Sequence, residues 1–418
     1  MRDKTDNDRH EDRHIAMHGD YGAEISSIEP LLPEASPKLA ELSRSIFIEA
    51  GALCSALPSA VTRKVVAGLI REMNSYYSNL IEGHKTLPRD IERALSSNTS
   101  TDEKSANQCL ASAHILTENK MEQRLQEEPN LNIHSAEFLC WLHQSFYENL
   151  PEELRHGMTV SGKKYRIEPG KLRTFNVDVG THTPPDHNQL QAYLSRFADV
   201  YGDRNILAVN SLSAIAAAHH RLTWIHPFGD GNGRVARLYS HAALIRQKVD
   251  GLGLWTLSRG LARFRDKYYT MLATADRQRH DDYDGRGNLS AMGLTSFCVF
   301  FLETALDQIR FMGKLLELPT LLARIENHVY REATHITRHK EELCRLLKAV
   351  TTEGEIERGR VSEIVGLKPS AARQVTGLAL KEGLLHTPSP KGALRIAFPA
   401  KVLDSYFPRL FLDLPYGE

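Results

Sequence analysis

The sequence predicts a mainly α-helical chain with one β-hairpin in its middle and a helix-turn-helix plus a second hairpin near its end. Three observations carry this. Apolar residues recur at three- and four-residue spacing through most of 37–316. The pattern breaks at 160–187, where glycines, prolines and β-branched residues replace it. The stretch GRVSEIVGLKPSAARQVTGLALKEGLLHTPSPKGALRIAF then reads as helix, turn, helix, strand, turn, strand.

Residues 1–36 are polar, mixed in charge and poor in aliphatics, and are expected to be a disordered leader. Helices are expected over 37–57, where Ser36 caps and Pro37 occupies the first turn, and over 62–82, with Gly83 as the stop. Further helices are expected at 88–96, 103–126 and 134–149. Segment 172–179 reads as part of a hairpin whose extension Pro184 and Pro185 block. Helices resume at 188–203, 206–225, 234–248, 258–275 and 291–316. After a composition break near 330–340, a helix at 340–350 leads into the helix-turn-helix. There Val361, Ile364, Val365, Val375, Leu378 and Leu380 form a shared core, Gly366 makes the turn, and Lys391-Gly392 turns the last hairpin. That order is a winged-helix pattern. The expected units are 37–130, an N-terminal helical region; 131–320, a catalytic core; and 335–418, a winged-helix domain.

The 418 residues leave ample length for a core and more than one domain. With 52 basic and 52 acidic residues, the chain is neither a globally basic nucleic-acid coat nor an acidic solvating tail. Five cysteines are scattered without a CxxC pair, which excludes a disulfide framework or thiolate zinc site and suits a reducing compartment. The start, MRDKTDNDRHEDRH, has no apolar stretch, so no signal peptide is expected. No apolar run approaches a membrane span, and the stretch ending at Leu302 is followed by Glu303. A cytoplasmic protein without membrane contact is expected.

The chemistry lies in IHPFGDGNGRVARL, residues 225–238. Trp224, Ile225 and Phe228 anchor a loop, and Gly229, Gly231 and Gly233 lead it into a helix start. Free N–H groups, close backbone approach and the helix dipole make this an anion site. Arg234 and Arg237 add two guanidinium forks suited to phosphate oxygens. Asp230 is the one acid there, and its place beside a polyphosphate makes sense with Mg2+ between them. His226 can take a proton near neutral pH. This is an inventory for phosphoryl or nucleotidyl transfer.

HPFGDGNGRVAR resembles the signature of the Fic family, His-Pro-Phe-x-(Asp/Glu)-Gly-Asn-Gly-(Arg/Lys)-x-x-Arg, with every fixed position present. The resemblance extends over roughly 37–310. It implies an all-α Fic core and transfer of AMP from ATP, with Mg2+, to a hydroxyl side chain of a target protein, with diphosphate leaving. His226 would be the general base and Asp230 the Mg2+ ligand. Gly231, Asn232 and Gly233 would cradle the anion, and Arg234 and Arg237 would bind phosphates. Tyr268 and Tyr269 match an aromatic pair that lines the nucleotide pocket in relatives. Asp276 stands where some relatives have an asparagine. The 160–187 hairpin corresponds to the family's flap, which implies that Asn176, Val177, Asp178 and Val179 pair with an extended target segment by strand addition.

Upstream, Ser78-Asn79-Leu80-Ile81-Glu82-Gly83 matches the family's inhibitory pattern, (Ser/Thr)-x-x-x-Glu-(Gly/Asn). Glu82 near a helix end can pair with Arg237 and compete with the γ-phosphate for that fork. Ser78, one turn earlier on the same face, can hydrogen-bond Glu82 or steady the helix. The resemblance is to the class whose inhibitory helix is N-terminal and in the same chain. The expected function is therefore a self-inhibited protein adenylyltransferase. Alternatives are removal of AMP, alone or alongside transfer, and a DNA-binding regulator carrying a Fic module. Candidate recognition helix Pro369–Lys381 holds Arg373 and Lys381, with Lys368 before it, a modest basic complement. Protein docking or dimer packing is favoured over DNA, and self-modification is open.

Overall fold

The computed structural model describes residues 25–95, 105–158, 162, 164–202 and 208–411. Much of the helix order follows from caps visible in the sequence. Helix α1 (Pro37–Leu53) begins at Ser36, whose hydroxyl accepts from the Leu39 N–H, and α2 (Ala60–Ile81) begins at Ser59, which accepts from Thr62. After α3 (Pro88–Leu95), helix α4 (Ala106–Glu127) starts with a reciprocal Ser105–Gln108 capping box, and α5 (Ala136–Tyr147) starts at Ser135. The α2 end is a glycine stop. Gly83 has φ 87°, its N–H donates to the Leu80 carbonyl, and the His84 N–H donates to the Asn79 carbonyl.

A short hairpin follows, β1 (His156–Met158) antiparallel to β2 (Lys164–Arg166), with Gly157 opposite Tyr165. A Cβ on Gly157 would run into the Tyr165 ring, so this pairing needs glycine. The strands thus lie earlier than the 172–179 expectation. Residues 172–179 are irregular, with one isolated bridge between Val179 and His182. The reason is buried Arg173. Its Nε donates to the His226 carbonyl at 2.9 Å, Nη1 donates to Phe175 at 2.9 Å, and Nη2 donates to Pro185. Its backbone N–H donates to Pro227 at 3.0 Å, so the segment is tied to the core loop instead of to a sister strand.

Helices α6 (Leu190–Tyr201), α7 (Ala208–Ile225) and α8 (Asn232–Arg246) surround the central loop. The helix expected over 258–275 is two, α9 (Leu257–Arg263) and α10 (Arg265–Ala275), broken at Phe264 with φ −115° and ψ 38°. The break places Arg265 so that its Nε donates to the Ile81 carbonyl at 3.0 Å, at the end of α2. Helix α11 (Ala291–Leu316) packs against α1, α7, α9 and α10. Among the described residues it is the one helix long and apolar enough to cross a membrane by length and composition, contrary to the sequence expectation; 67% of that stretch is buried inside the fold.

Of the expected leader, residues 1–24 lie outside the described residues. Residues 25–36 are a packed strap. Ile28 and Leu31 are buried, and Arg221 donates from Nε and Nη2 to the Pro30 carbonyl at 3.0 and 2.8 Å. Two buried aliphatics, Ile28 and Leu31, suffice once a buried guanidinium helps to satisfy the strap's backbone.

Helix α12 (Leu318–Asn327), unforeseen in the sequence, leads to α13 (Lys340–Glu353), β3 (Glu355–Ile356), α14 (Val361–Val365), α15 (Pro369–Lys381), β4 (Leu385–His386), β5 (Leu394–Ile396) and α16 (Leu403–Tyr406). The strands form one antiparallel sheet in the order β3-β5-β4. Val361, Val365 and Val375 are buried, with Ile364, Leu378 and Leu380 packed around them, and Gly366 turns at φ 70°.

The end of the chain returns to α2. Tyr77 Oη donates to the Leu410 carbonyl at 3.1 Å, and Arg259 Nε donates to the same carbonyl at 3.3 Å. Leu410 itself is fully buried. Leu410→Ala should therefore cost about 2–5 kcal/mol. A thermal midpoint equal to that of the parent chain would show that this segment does not hold the core.

Candidate active site

His226 ends α7 in the left-handed region, φ 49°, with its N–H on the Leu222 carbonyl and Pro227 following. Few side chains tolerate this conformation, and here the Arg173 bonds to the His226 and Pro227 carbonyls hold it. The ring Nδ1 lies 3.3 Å from the Thr223 carbonyl. A carbonyl can only accept, so Nδ1 carries the proton and Nε2 keeps its lone pair. Burial pushes the imidazole down to about 4, so it is neutral and ready to accept a proton at neutral pH.

The loop is closed by Asn232. Its Oδ1 accepts from the Phe228 N–H and its Nδ2 donates to the Phe228 carbonyl, both at 2.9 Å. The Asn232 side chain therefore shapes the loop, and what Asn232 can offer the cradle is its backbone N–H at the start of α8. Gly231 has φ 80°, and a Cβ there would press on the Tyr147 ring. The cradle consists of glycine backbone and the α8 N-terminus, whose first N–H groups have no intrahelical acceptor.

Asp230 faces solvent, and its Oδ2 accepts from Tyr147 Oη at 2.7 Å. Lost hydration works against its charge, but Arg234, Tyr147 and the Gly231 N–H outweigh it and hold the carboxyl below its ordinary value. An ionised carboxylate beside an anion cradle, with one oxygen committed and one turned outward, fits Mg2+, which takes one or two carboxylates plus phosphate oxygens and keeps its waters. Behind it, His143 Nδ1 accepts from the Gly170 N–H at 2.9 Å. That puts the proton on Nε2, which donates to the Asp230 carbonyl at 3.2 Å. Tyr147 and His143 lie one turn apart on α5 and carry no sequence signal that ties them to this loop.

The end of α2 lies across the cradle. Arg237 Nη2 meets Glu82 Oε1 at 2.5 Å and the Ser78 carbonyl at 2.9 Å, while Nε donates to Ser78 Oγ at 2.9 Å. Ser78 thus binds Arg237 and not Glu82. Arg234 Nε donates to Asn79 Oδ1 at 3.1 Å, a contact missed in the sequence although Asn79 sits inside the motif. A Cβ on Gly233 would collide with the Glu82 carboxylate, which therefore rests directly on the cradle backbone. Burial disfavours the Glu82 charge, but Arg237 and Arg234 overcome this and hold its carboxyl low. Gly83 terminates α2 just beyond Glu82.

Tyr268 does not line an open pocket. It is buried, and its hydroxyl bonds His219 Nε2 at 2.8 Å inside the core. Exposed Tyr269 donates to the Ile81 carbonyl at 3.2 Å and, with Arg265, caps α2. Asp276 is committed to His220 Nε2 at 3.2 Å. The β1–β2 hairpin reaches the loop through Tyr165, whose hydroxyl donates to the Gly229 carbonyl at 2.6 Å. In the expected flap, Asn176 is tied to Asp186 and His187, and Asp178 accepts from Thr183. Val177 is half-buried and Val179 bridges His182. Among the described residues, 176–178 make no backbone–backbone hydrogen bond.

Residues 133–244, which hold α5 through nearly all of α8 and hence this whole loop, match the family model described as Fic/DOC family. Over this segment the chain is similar to Fic-family proteins. The chain is 32% identical over 119 residues to "Protein adenylyltransferase Fic" of Nematostella vectensis, covering 28% of this chain and 26% of that protein. It is 36% identical over 87 residues to "Protein adenylyltransferase fic-1" of Caenorhabditis elegans, covering 21% and 17%. The chain thus spans about a quarter or less of the curated relatives it matches. A solved Fic family protein from Desulfovibrio desulfuricans G20 aligns over 87% of this chain and 97% of its own, at 18% identity and TM-score 0.49. The matched residues include His226, Asp230, Arg234 and Arg237, whereas Ser78, Asn79 and Glu82 lie upstream of them.

Proposed function

We propose that this chain is a self-inhibited protein adenylyltransferase that moves AMP from ATP to a hydroxyl side chain of a target protein or of itself. The observation that carries the reading is the Glu82–Arg237 pair seated on the Gly233 backbone, ahead of a loop whose His226 keeps a free Nε2. His226 Nε2 takes the proton of the acceptor hydroxyl as its oxygen bonds to the α-phosphorus. The bond from that phosphorus to the bridging oxygen breaks, and diphosphate leaves with the electron pair. The glycine cradle and the α8 N-terminus hold phosphate oxygens, and Arg234 and Arg237 neutralise the charge that develops. Mg2+ bound through Asp230 would supply further neutralisation of the leaving diphosphate.

The unladdered backbone at 176–178 supports the flap role in target positioning, since an extended segment needs free main-chain groups to pair with. A second reading has support in Glu82 itself. An ionised carboxylate at the cradle can position water for removal of AMP, so one site can run both ways. For the C-terminal unit, the order α13-β3-α14-α15-β4-β5 supports a winged helix, and its seat against α2 supports protein docking over DNA binding. Cytoplasmic location remains part of the proposal, from the cysteine usage.

The test is incubation of the purified chain with labelled ATP and Mg2+, with a Glu82→Gly variant in parallel. Label in α-phosphate ATP should enter protein, and label in γ-phosphate ATP should not. Transfer of γ-label would make the chain a kinase and sink the reading. Asp230→Ala should lose about 100-fold or more of the Mg2+-dependent rate. If chelator-treated parent chain transfers AMP at its full rate, the metal role of Asp230 is wrong.

A further inference from the structure

A second set of buried donors lies one to two helical turns below the Glu82–Arg237 pair, between α2, α4 and α8. His114, Glu118 and Glu122 are spaced by four residues and share one face of α4, and His241 faces them from α8. His241 Nε2 is 3.6 Å from Glu118 Oε1 and 3.5 Å from Glu122 Oε1. One ligand atom from each of these three residues lies within 4.8 Å of the others. Two ligands of a tetrahedral ion with bonds of about 2.0–2.1 Å sit about 3.4 Å apart, so the two distances from His241 are close to those between donors around one ion.

The outer oxygens are already engaged. Glu118 Oε2 accepts from Asn74 Nδ2 at 2.7 Å, and Asn74 Oδ1 in turn accepts from Thr256 Oγ1 at 2.5 Å. Glu122 Oε2 is paired with Arg71. Each carboxylate therefore spends one oxygen on an orienting partner and turns the other to His241. That division is how hydrogen bonds around a metal centre fix its ligands.

The independent observation is His114. Its side chain is fully buried, and neither ring nitrogen has a hydrogen-bond partner among the described residues. Its Nδ1 lies 3.6 Å from Glu118 Oε2, the oxygen that Asn74 holds, so the ring borders the cluster. An unsatisfied buried imidazole is costly to keep, and its place beside Glu118 marks this part of the core as polar without a full set of partners.

We infer that Glu118, Glu122 and His241 bind a divalent cation of the zinc class at a site separate from Asp230, with the unpartnered His114 beside the Glu118 carboxylate. An imidazole and two carboxylates are a three-residue set that suits Zn2+ or Co2+ with a fourth position left for water, and the nitrogen donor disfavours Mg2+ and Ca2+, which take all-oxygen shells of higher number. A bound ion ties α4 to α8 next to Arg71 and Asn74 of α2. It thereby stiffens the frame against which the α2 end is held.

The test uses the full chain, chelator-treated and titrated with Co2+ and with Zn2+. Co2+ should give the visible absorption of a four-coordinate centre at about one equivalent, and Zn2+ should displace it. Asp230→Ala should behave like the parent chain, which separates this site from the catalytic one. Glu118→Gln and His241→Gln should each weaken Zn2+ binding by about 100-fold or more. His114→Phe removes the unpartnered ring without leaving a buried polar group and leaves all three ligands in place, so it should fold as well as the parent and still give the four-coordinate Co2+ band. The inference is overturned if the parent gives no four-coordinate Co2+ band. It is equally overturned if folded Glu118→Gln or His241→Gln binds Zn2+ as the parent does.

Discussion

His226→Ala is expected to lower AMP transfer by about a hundred- to ten-thousand-fold while ATP binding stays near that of the parent chain. The size follows from what the ring alone supplies. Thr223 holds the Nδ1 proton, so Nε2 is the base, and no other group of the loop offers a neutral lone pair there. The residue also occupies φ 49°, where alanine is strained, so His226→Asn is the better control because asparagine tolerates that region. Both variants should lose transfer, and Asn should keep the parent's thermal midpoint more closely. The pH profile gives a second reading. Burial holds the imidazole at about 4, below its unfolded value of about 6.5, so the ring is neutral above pH 5 and protonates below. The acid limb of kcat/KM should fall near pH 4 to 5 and not near 6.5. The sign for stability is the same: a histidine with a depressed pKa weakens the fold as pH falls from 6.5 towards 4. Near-parent turnover by purified His226→Asn would remove His226 from the chemistry.

Glu82→Gly is expected to raise AMP transfer by about ten- to more than a hundredfold, the equivalent of releasing about 1.4–3 kcal/mol of competition for Arg237. Removing the carboxylate frees the guanidinium and clears the Gly233 backbone, the two places a nucleotide's outer phosphates need. It leaves the loop from Asp230 to Arg234 untouched. Ser78 still holds Arg237 through its hydroxyl and carbonyl, so Ser78→Ala alone should give a smaller rise, and the double variant should exceed either. Loss of AMP removal from a pre-modified substrate, alongside increased transfer, would assign Glu82 to both reactions. An unchanged rate in a folded Glu82→Gly chain would leave the α2 end as an ordinary helix terminus.

Local rules already contain much of this protein. The serine caps at 36, 59, 105 and 135, the glycine stop at 83 and the Gly-rich entry to α8 are short-range chemistry, and each stands where the residues place it. The same holds for His226, Asp230, Gly231, Gly233, Arg234 and Arg237, because a loop of twelve residues keeps its members close wherever the chain goes. Glu82 was legible because a motif names it, although about 150 residues separate it from its partner Arg237.

Where the sequence expectation and the structure differ, the deciding contact is long-range. Residues 172–179 have the composition of a strand, but buried Arg173 ties them to His226, Pro227 and Pro185, and such pairings have no local signature. Tyr268 and Tyr269 are adjacent in sequence yet separate into a core residue and an α2 cap, because successive residues on a helix face about 100° apart. Asn232 was expected in the anion cradle, and its side chain closes its own loop onto Phe228. Ile28 and Leu31 are too few to announce a packed strap until Arg221 is seen helping to satisfy its backbone. The sequence by itself determined the loop, its charges and the motif that carries Glu82. Only the tertiary structure decided what each charge faces, because burial, ion pairing and the choice of proton-bearing nitrogen depend on neighbours brought from distant helices.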